Sequence, residues 1–109
     1  MGENACLGPK VDCYNQGKIS IGKNTVVSQK TYLCASSHDY NVKNFPLVLK
    51  PIRIGTGTWV AAGAFIGPDV TIGDNAVIAA RSVVIKNIDS NTIVGGNPAK
   101  SIKTRKIEE

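Results

Sequence analysis

Long apolar runs are missing from this 109-residue chain. The longest are far too short to cross a bilayer, and no charged-then-apolar leader opens the sequence. These gaps make a cytoplasmic protein without a membrane span the expectation. Cysteine is sparse and odd in number: Cys6, Cys13 and Cys34, with no C-x-x-C pair. That argues against a disulfide framework or a zinc site and makes buried small hydrophobes the expectation for the thiols. Histidine occurs once, at His38. A concentrated basic tract is also lacking: the net charge is +5, but the lysines are scattered, apart from Lys100, Lys103, Arg105 and Lys106. Such a modest field suits a small polyanionic ligand better than nucleic acid.

What is present is enough for a core. Hydrophobic residues make up 42% of the chain, too many for a disordered polymer, and the length suits one domain over residues 1–109. A six-residue rhythm dominates. Ile54, Val60, Ile66, Ile72, Ile78 and Val84 follow one another at a strict spacing of six. Gly55, Ala61, Gly67, Gly73 and Ala79 follow the first five, and Ile52, Thr58, Ala64, Val70, Ala76 and Ser82 stand two places before each. Ile21, Val27 and Leu33 keep the spacing upstream, and Met1, Leu7 and Cys13 carry it more weakly, joined through a two-residue slip near "NQGK".

A period of six fits neither an amphipathic helix nor a simple hairpin. In an extended strand alternate side chains share a face. Thr58 and Val60 therefore point inward together and Trp59 points out. The small residue that follows leaves room for a corner. Each hexad becomes one short side of a parallel β-helix, and three hexads per coil stack Ile54 under Ile72, Val60 under Ile78 and Ile66 under Val84. The glycines of "IGTGTW" recur at such corners, so they do not form a phosphate loop.

The rhythm lapses between Leu33 and Ile52. Ile21 to Ile54 is one coil plus fifteen residues, which predicts a loop over about 39–51, beginning at or just after His38. Loops at rigid edges gather function. The last residues read as a short C-terminal tail. Trp59, Phe65, Val77 and Val83 form a row of outward apolar sites that predicts a subunit interface. The rhythm starts at Met1, so the first coil needs a cap or a partner.

"IGTGTW VAAGAF IGPDVT IGDNAV IAARSV", with "SSHDY" and "IVGGNPAKSIK", resembles the hexapeptide-repeat acyltransferases, most nearly the exopolysaccharide and galactoside O-acetyltransferase branch. The resemblance covers nearly the whole chain. It implies a left-handed β-helix, a homotrimer, acetyl-CoA as donor, a sugar-like acceptor, no metal, and active sites between subunits. Such enzymes carry an upstream segment, and the expectation from the rhythm that opens at Met1 is a chain without it.

By resemblance His38 is the general base that deprotonates the acceptor hydroxyl; histidine suits the task, with an ordinary pKa of about 6.5. Asp39 and Asn15 would meet the acceptor, and Trp59 would line both the coenzyme and acceptor sites. The backbone N–H of Ala62 would bind the thioester oxygen as charge develops. Ala80, Ile85 and Lys86 would contact the pantetheine arm, although the family often has Thr at the position of Ile85. Lys100 and Lys103 would meet the phosphates as point charges.

Other classes compete. A zinc carbonic anhydrase on a similar β-helix needs three histidines, and this chain has one. A binding or scaffold solenoid, and an N-acetyltransferase acting on an amino sugar, remain the alternatives.

Overall fold

A computed structural model describes residues 1–14 and 17–108. Every regular element among them is a β-strand, and no helix is long and apolar enough to cross a membrane. Asn15, one expected acceptor contact, lies outside the described residues.

Three parallel sheets carry the repeat. The first holds Cys6–Leu7, Val26–Val27, Trp59–Val60, Val77–Ile78 and Thr92–Gly96. The second holds Asp12–Tyr14, Tyr32–Cys34, Phe65–Ile66 and Val83–Val84, and the third Ile19–Ile21, Ile52–Ile54 and Thr71–Ile72. Ile54 pairs with Ile72, Val60 with Ile78 and Ile66 with Val84, each eighteen positions on. Ile21, Val27 and Leu33 lie beneath Ile54, Val60 and Ile66. Leu7 and Cys13 pair with Val27 and Leu33, twenty positions on, as the two-residue slip requires.

The alternation of the strands builds the interior. Val27, Leu33, Ile52, Val60, Ile66, Ile78 and Val84 are wholly buried. Thr25, Thr31, Thr58 and Ser82, two places before an aliphatic residue, are buried with them. A hydroxyl there needs an acceptor. Thr58 Oγ1 donates to the Gly73 carbonyl at 2.9 Å, Thr25 Oγ1 to Gly55 at 2.5 Å, Thr31 Oγ1 to Ala61 at 3.3 Å and Ser82 Oγ to Ala79 at 2.7 Å. All four acceptors are carbonyls of the small residues that follow an aliphatic one. Among the described residues no buried side-chain polar atom lacks a partner.

The corners need more than a small residue. The third residue after the aliphatic one enters the left-handed region, where a side chain costs about 1–2 kcal/mol, least for Asn and Asp. After the third sheet these residues are Asn24, Gly57, Asn75 and Asn91; after the first they are Lys10, Lys30, Gly63 and Arg81, with φ between 58° and 70° throughout. Small residues are needed as well: a Cβ on Gly22 would fall 2.5 Å from the Gly55 carbonyl carbon.

Three details depart from the sequence reading. Antiparallel pairing starts at Ser36, earlier than the expected loop: Ser36–His38 pairs with Leu47–Leu49, and His38 opposes Leu47. The extended "LVL" run supplies the returning strand. Lys50 N–H donates to the Ala35 carbonyl at 3.0 Å and closes the base. Gly17 is buried beneath it, where a Cβ would strike the carbonyl oxygens of Ala35 and Lys50. The second departure is the C-terminus. It is no tail: Ala99–Thr104 runs antiparallel to Thr92–Gly96, with Lys100 opposite Gly95 and Lys103 opposite Ile93. An edge strand left unpaired is a liability, and this hairpin covers it. Arg105 pins its end, donating from Nη1 to the carbonyls of Gly57 at 2.8 Å and Asn75 at 3.3 Å.

The third departure concerns the outward apolar residues. Trp59 pairs with Val77 in the first sheet, whereas Phe65 pairs with Val83 in the second, so they form two patches and not one row. Val26 extends the first patch, and Tyr32 the second, its ring centroid 5.6 Å from that of Phe65. The outward residues of the third sheet, Ser20, Arg53 and Thr71, are polar.

Candidate active site

His38 ends the outgoing strand of the hairpin and is exposed. Its Nδ1 lies 2.7 Å from the Phe45 carbonyl oxygen. A carbonyl only accepts, so Nδ1 carries the hydrogen and Nε2 of the neutral ring keeps its lone pair. The turn that presents this carbonyl is tightly specified. Phe45 and Asn44 have φ of 47° and 79°, and Phe45 N–H donates to the Val42 carbonyl at 3.1 Å. Asp39 belongs to the same turn: its Oδ1 accepts from Asn41 N–H at 3.1 Å, and its own N–H donates to Pro46. The residue that orients the histidine is therefore Phe45, through its backbone, and no sequence signal marks it. Ser37, His38, Asp39, Tyr40, Val48 and Lys50 line an open cleft of about 270 Å³. Tyr40, Val48 and Lys50 were not singled out by the sequence reading.

Ala62 lies at another edge, the corner after the first sheet. Its carbonyl accepts from Arg81 N–H at 2.9 Å, which fixes the peptide plane. The equivalent corner after the third sheet shows what an N–H at this position reaches. There Thr56 N–H donates to Asp74 Oδ1 at 2.7 Å, and Asp74 N–H to Ser90 Oγ at 3.0 Å. An N–H two places after the aliphatic residue thus meets a side-chain oxygen supplied by the next layer, a carboxylate in one case and a hydroxyl in the other. Above Ala62 that next-layer residue is Ala80, whose side chain offers no oxygen. Ala62 lines a cleft of about 220 Å³ with Gln29, Lys30, Gly63 and Arg81. Trp59, half exposed at 49%, donates from Nε1 to Ser28 Oγ at 2.9 Å beside this corner.

Ile85, Lys86 and Lys100 come together. With Val84, Ile88, Pro98 and Ala99 they line a groove of about 360 Å³, the largest of the three. Lys103, farther along the C-terminal strand, lines none of the three clefts. Ile85 and Lys86 follow Val84 at the corner after the second sheet, the same edge from which the His38 hairpin departs after Cys34. One chain therefore presents His38 with Ile85, Lys86 and Lys100 on one edge, and Ala62 with Ala80 on another.

Burial, and then the Asp12 carboxylate, raise the Cys13 thiol above its usual value. The Tyr32 phenol is raised by desolvation first, then by Cys34, Asp12 and Tyr14. Neither group lines any of the clefts, and the thiols are not buried as expected: Cys6 is exposed and Cys13 and Cys34 are only half-buried. No group of three or more His, Cys, Asp or Glu side chains fit to hold a metal occurs among the described residues.

The chain is similar to known proteins. Residues 51–86 match the bacterial transferase hexapeptide (six repeats) family. WcaF of Escherichia coli K12, whose name assigns it to colanic acid biosynthesis as an acetyltransferase, is 44% identical over 105 residues, covering 96% of this chain and 58% of that protein. The chain thus spans little more than half the length of that relative. Among solved structures, a maltose O-acetyltransferase from Clostridium difficile 630 superposes with a TM-score of 0.81 at 27% identity, over 98% of this chain and 70% of the other. A hexapeptide-repeat acetyltransferase from Vibrio cholerae O1 biovar eltor, solved with acetyl coenzyme A, gives 0.76 at 25% identity, over 98% and 71%. The chain thus carries the bacterial transferase hexapeptide repeat over residues 51–86 and is similar over nearly all of its length to hexapeptide-repeat acetyltransferases.

Proposed function

We propose that the protein is an acetyl-CoA-dependent O-acetyltransferase that acts on a hydroxyl of a sugar-type acceptor. The observation that carries this reading is the 2.7 Å contact between His38 Nδ1 and the Phe45 carbonyl, which leaves Nε2 free as a base in an open cleft. In the reaction His38 Nε2 takes the acceptor's hydroxyl proton as that oxygen attacks the thioester carbonyl carbon. Ala62 N–H receives the negative charge on the carbonyl oxygen. Collapse forms the ester and breaks the carbon–sulfur bond; the leaving thiolate takes the proton from the His38 imidazolium.

The coenzyme runs along the groove of Ile85, Lys86 and Lys100, with Ala80 and Trp59 against the pantetheine arm and Lys103 extending the positive field toward the phosphates. Asp39, and Asn15 beyond the described residues, flank the acceptor. The coil turns once every three hexads, a reading supported by the eighteen-residue register in all three sheets, and its left hand is what the similarity to hexapeptide-repeat acetyltransferases implies. The active unit is a homotrimer. Two observations favour it: the outward faces of the first and second sheets are apolar while the third is polar, and His38 and Ala62 lie on different edges of one chain. Packing one protomer's Ala62 edge against the next protomer's His38 edge covers the apolar faces and completes the site.

The test is release of free coenzyme A thiol with acetyl-CoA and a panel of sugars, nucleotide sugars and amines. Turnover with a hydroxyl acceptor is expected. Turnover with amines alone would replace O-transfer by N-transfer, and no turnover with any acceptor would reject the enzyme.

A further inference from the structure

The two corner columns of left-handed residues differ in a way that the fold does not demand. After the third sheet the positions hold Asn24, Gly57, Asn75 and Asn91, the residue types that tolerate this backbone best. After the first sheet they hold Lys10, Lys30, Gly63 and Arg81. Both columns make the same ladder: Asn75 N–H donates to Thr56 and Arg81 N–H to Ala62, at 2.8 Å and 2.9 Å. Geometry alone would thus be met by Asn on either edge. The first-sheet corner accepts long cationic side chains at positions where they are strained, and strain of this kind is retained where a site needs it. Gly63, the one position without a side chain, opens the stack between Lys30 and Arg81. The cleft of about 220 Å³ forms there, lined by Gln29, Lys30, Ala62, Gly63 and Arg81, with no acidic residue.

We infer that Lys30 and Arg81 form an anion-binding subsite for the acceptor, so that the sugar accepted carries a carboxylate close to the hydroxyl that is acetylated. The inference rests on the transferase reading for one step: Ala62, within this cleft, is the group that meets the thioester. An anion bound between Lys30 and Arg81 then sits beside the transferred acetyl group. The coenzyme's own phosphates lie at the opposite end of the pantetheine arm, toward Lys100 and Lys103. Arg81 supplies a planar fork for a carboxylate, Lys30 a point charge, and Gln29 a neutral amide for the hydroxyls around it.

The experiment uses the double variant Lys30→Asn/Arg81→Asn, because Asn suits the left-handed backbone and removes both charges. Binding is measured calorimetrically at low salt with three probes: hyaluronan hexasaccharide, which carries carboxylates, neutral maltohexaose, and coenzyme A. The expected result is a loss of about tenfold or more for the acidic hexasaccharide, with coenzyme A and maltohexaose within about twofold of wild type and the melting temperature unchanged or higher. Lys30→Arg/Arg81→Lys should restore most of the affinity. Unchanged affinity for the acidic hexasaccharide, or a loss confined to coenzyme A, would overturn the subsite. A lowered melting temperature would overturn it too, because the side chains would then be holding the corner. Binding is read without turnover, so a protein that binds the acidic hexasaccharide through these residues but transfers no acetyl group would sink the transferase reading and leave the anion site standing.

Discussion

The stacked columns and the His38 hairpin solve opposite problems with the same kind of strand. In the columns, Leu33, Ile66 and Val84 are wholly buried, and the strands that carry Leu33 and Ile66 are held by partners above and below. In the hairpin, Phe45, Leu47 and Leu49 stay 61%, 46% and 53% exposed, and the strands hold only each other. The columns store the stability of the fold. The hairpin, rooted on Ala35, Gly17 and Lys50, adds little burial and carries the one histidine. Stability and chemistry should therefore separate cleanly under mutation.

The largest effect belongs to the hairpin. His38→Ala should cut turnover by about 10²–10⁴-fold, the value of a positioned general base. The side chain is exposed, so the melting temperature should hold, since surface substitutions usually stay within about 0.5 kcal/mol. Steady-state kinetics and thermal unfolding on the same preparation check both halves. A fall in melting temperature would instead make His38 a pin for the turn at Phe45.

Ala62→Pro comes next and carries the comparison to the edge of the columns. Proline already stands two places after the aliphatic residue at Pro9 and Pro68, the first of these in the same corner column as Ala62. The fold accepts it there because the N–H at this position is not needed by the sheets. The substitution should remove the oxyanion donor, lowering kcat by about 10²–10³-fold, while the circular dichroism spectrum and melting temperature stay near wild type. Normal kcat would show that another group receives the charge.

Ile66→Ala reverses the pattern. The side chain is fully buried between Leu33 and Val84, so its truncation should cost about 2–5 kcal/mol. Denaturant unfolding measures that loss, and the remaining folded fraction should keep its turnover. The smallest effect is expected for Thr58→Val, which keeps the shape and deletes the hydroxyl donated to Gly73. A cost of about 0.5–1.5 kcal/mol is expected from unfolding curves; a gain in stability would mean that burial of the added methyl outweighs the lost hydrogen bond.

How far the sequence showed this division depends on the range of the contacts involved. The columns repeat every six residues, so Ile54 over Ile21 and under Ile72 could be read directly, as could the outward side chain of Trp59 and the exposed His38. The split of Trp59 and Val77 from Phe65 and Val83 was also implicit in the eighteen-residue register, since residues six apart fall in different sheets. The early start of the hairpin at Ser36 could not be read, because it is set by pairing with Leu47–Leu49 across a turn without repeat. Nor could the C-terminal strand: "AKSIKT" has little β-branched character, and it is extended because Thr92–Gly96 offers it an edge. Arg105 reaches carbonyls 48 and 30 positions away, and Phe45 holds His38 through a backbone oxygen that any residue would supply. The left-handed column of Asn24, Gly57, Asn75 and Asn91 was visible in the residue types but appears only when the count runs to the third residue after each aliphatic one.

The central claim is that one chain's His38 works with another chain's Ala62. Subunit mixing tests it most directly. His38→Ala and Ala62→Pro proteins, each nearly inactive alone, are unfolded together, refolded as a mixture and assayed for acetyl-CoA thiol release. Mixed trimers contain interfaces at which an intact His38 edge faces an intact Ala62 edge, so activity well above the sum of the two parents is predicted. A mixture that assembles with subunit exchange, shown by mass spectrometry, yet stays no more active than its parents would contradict the shared site.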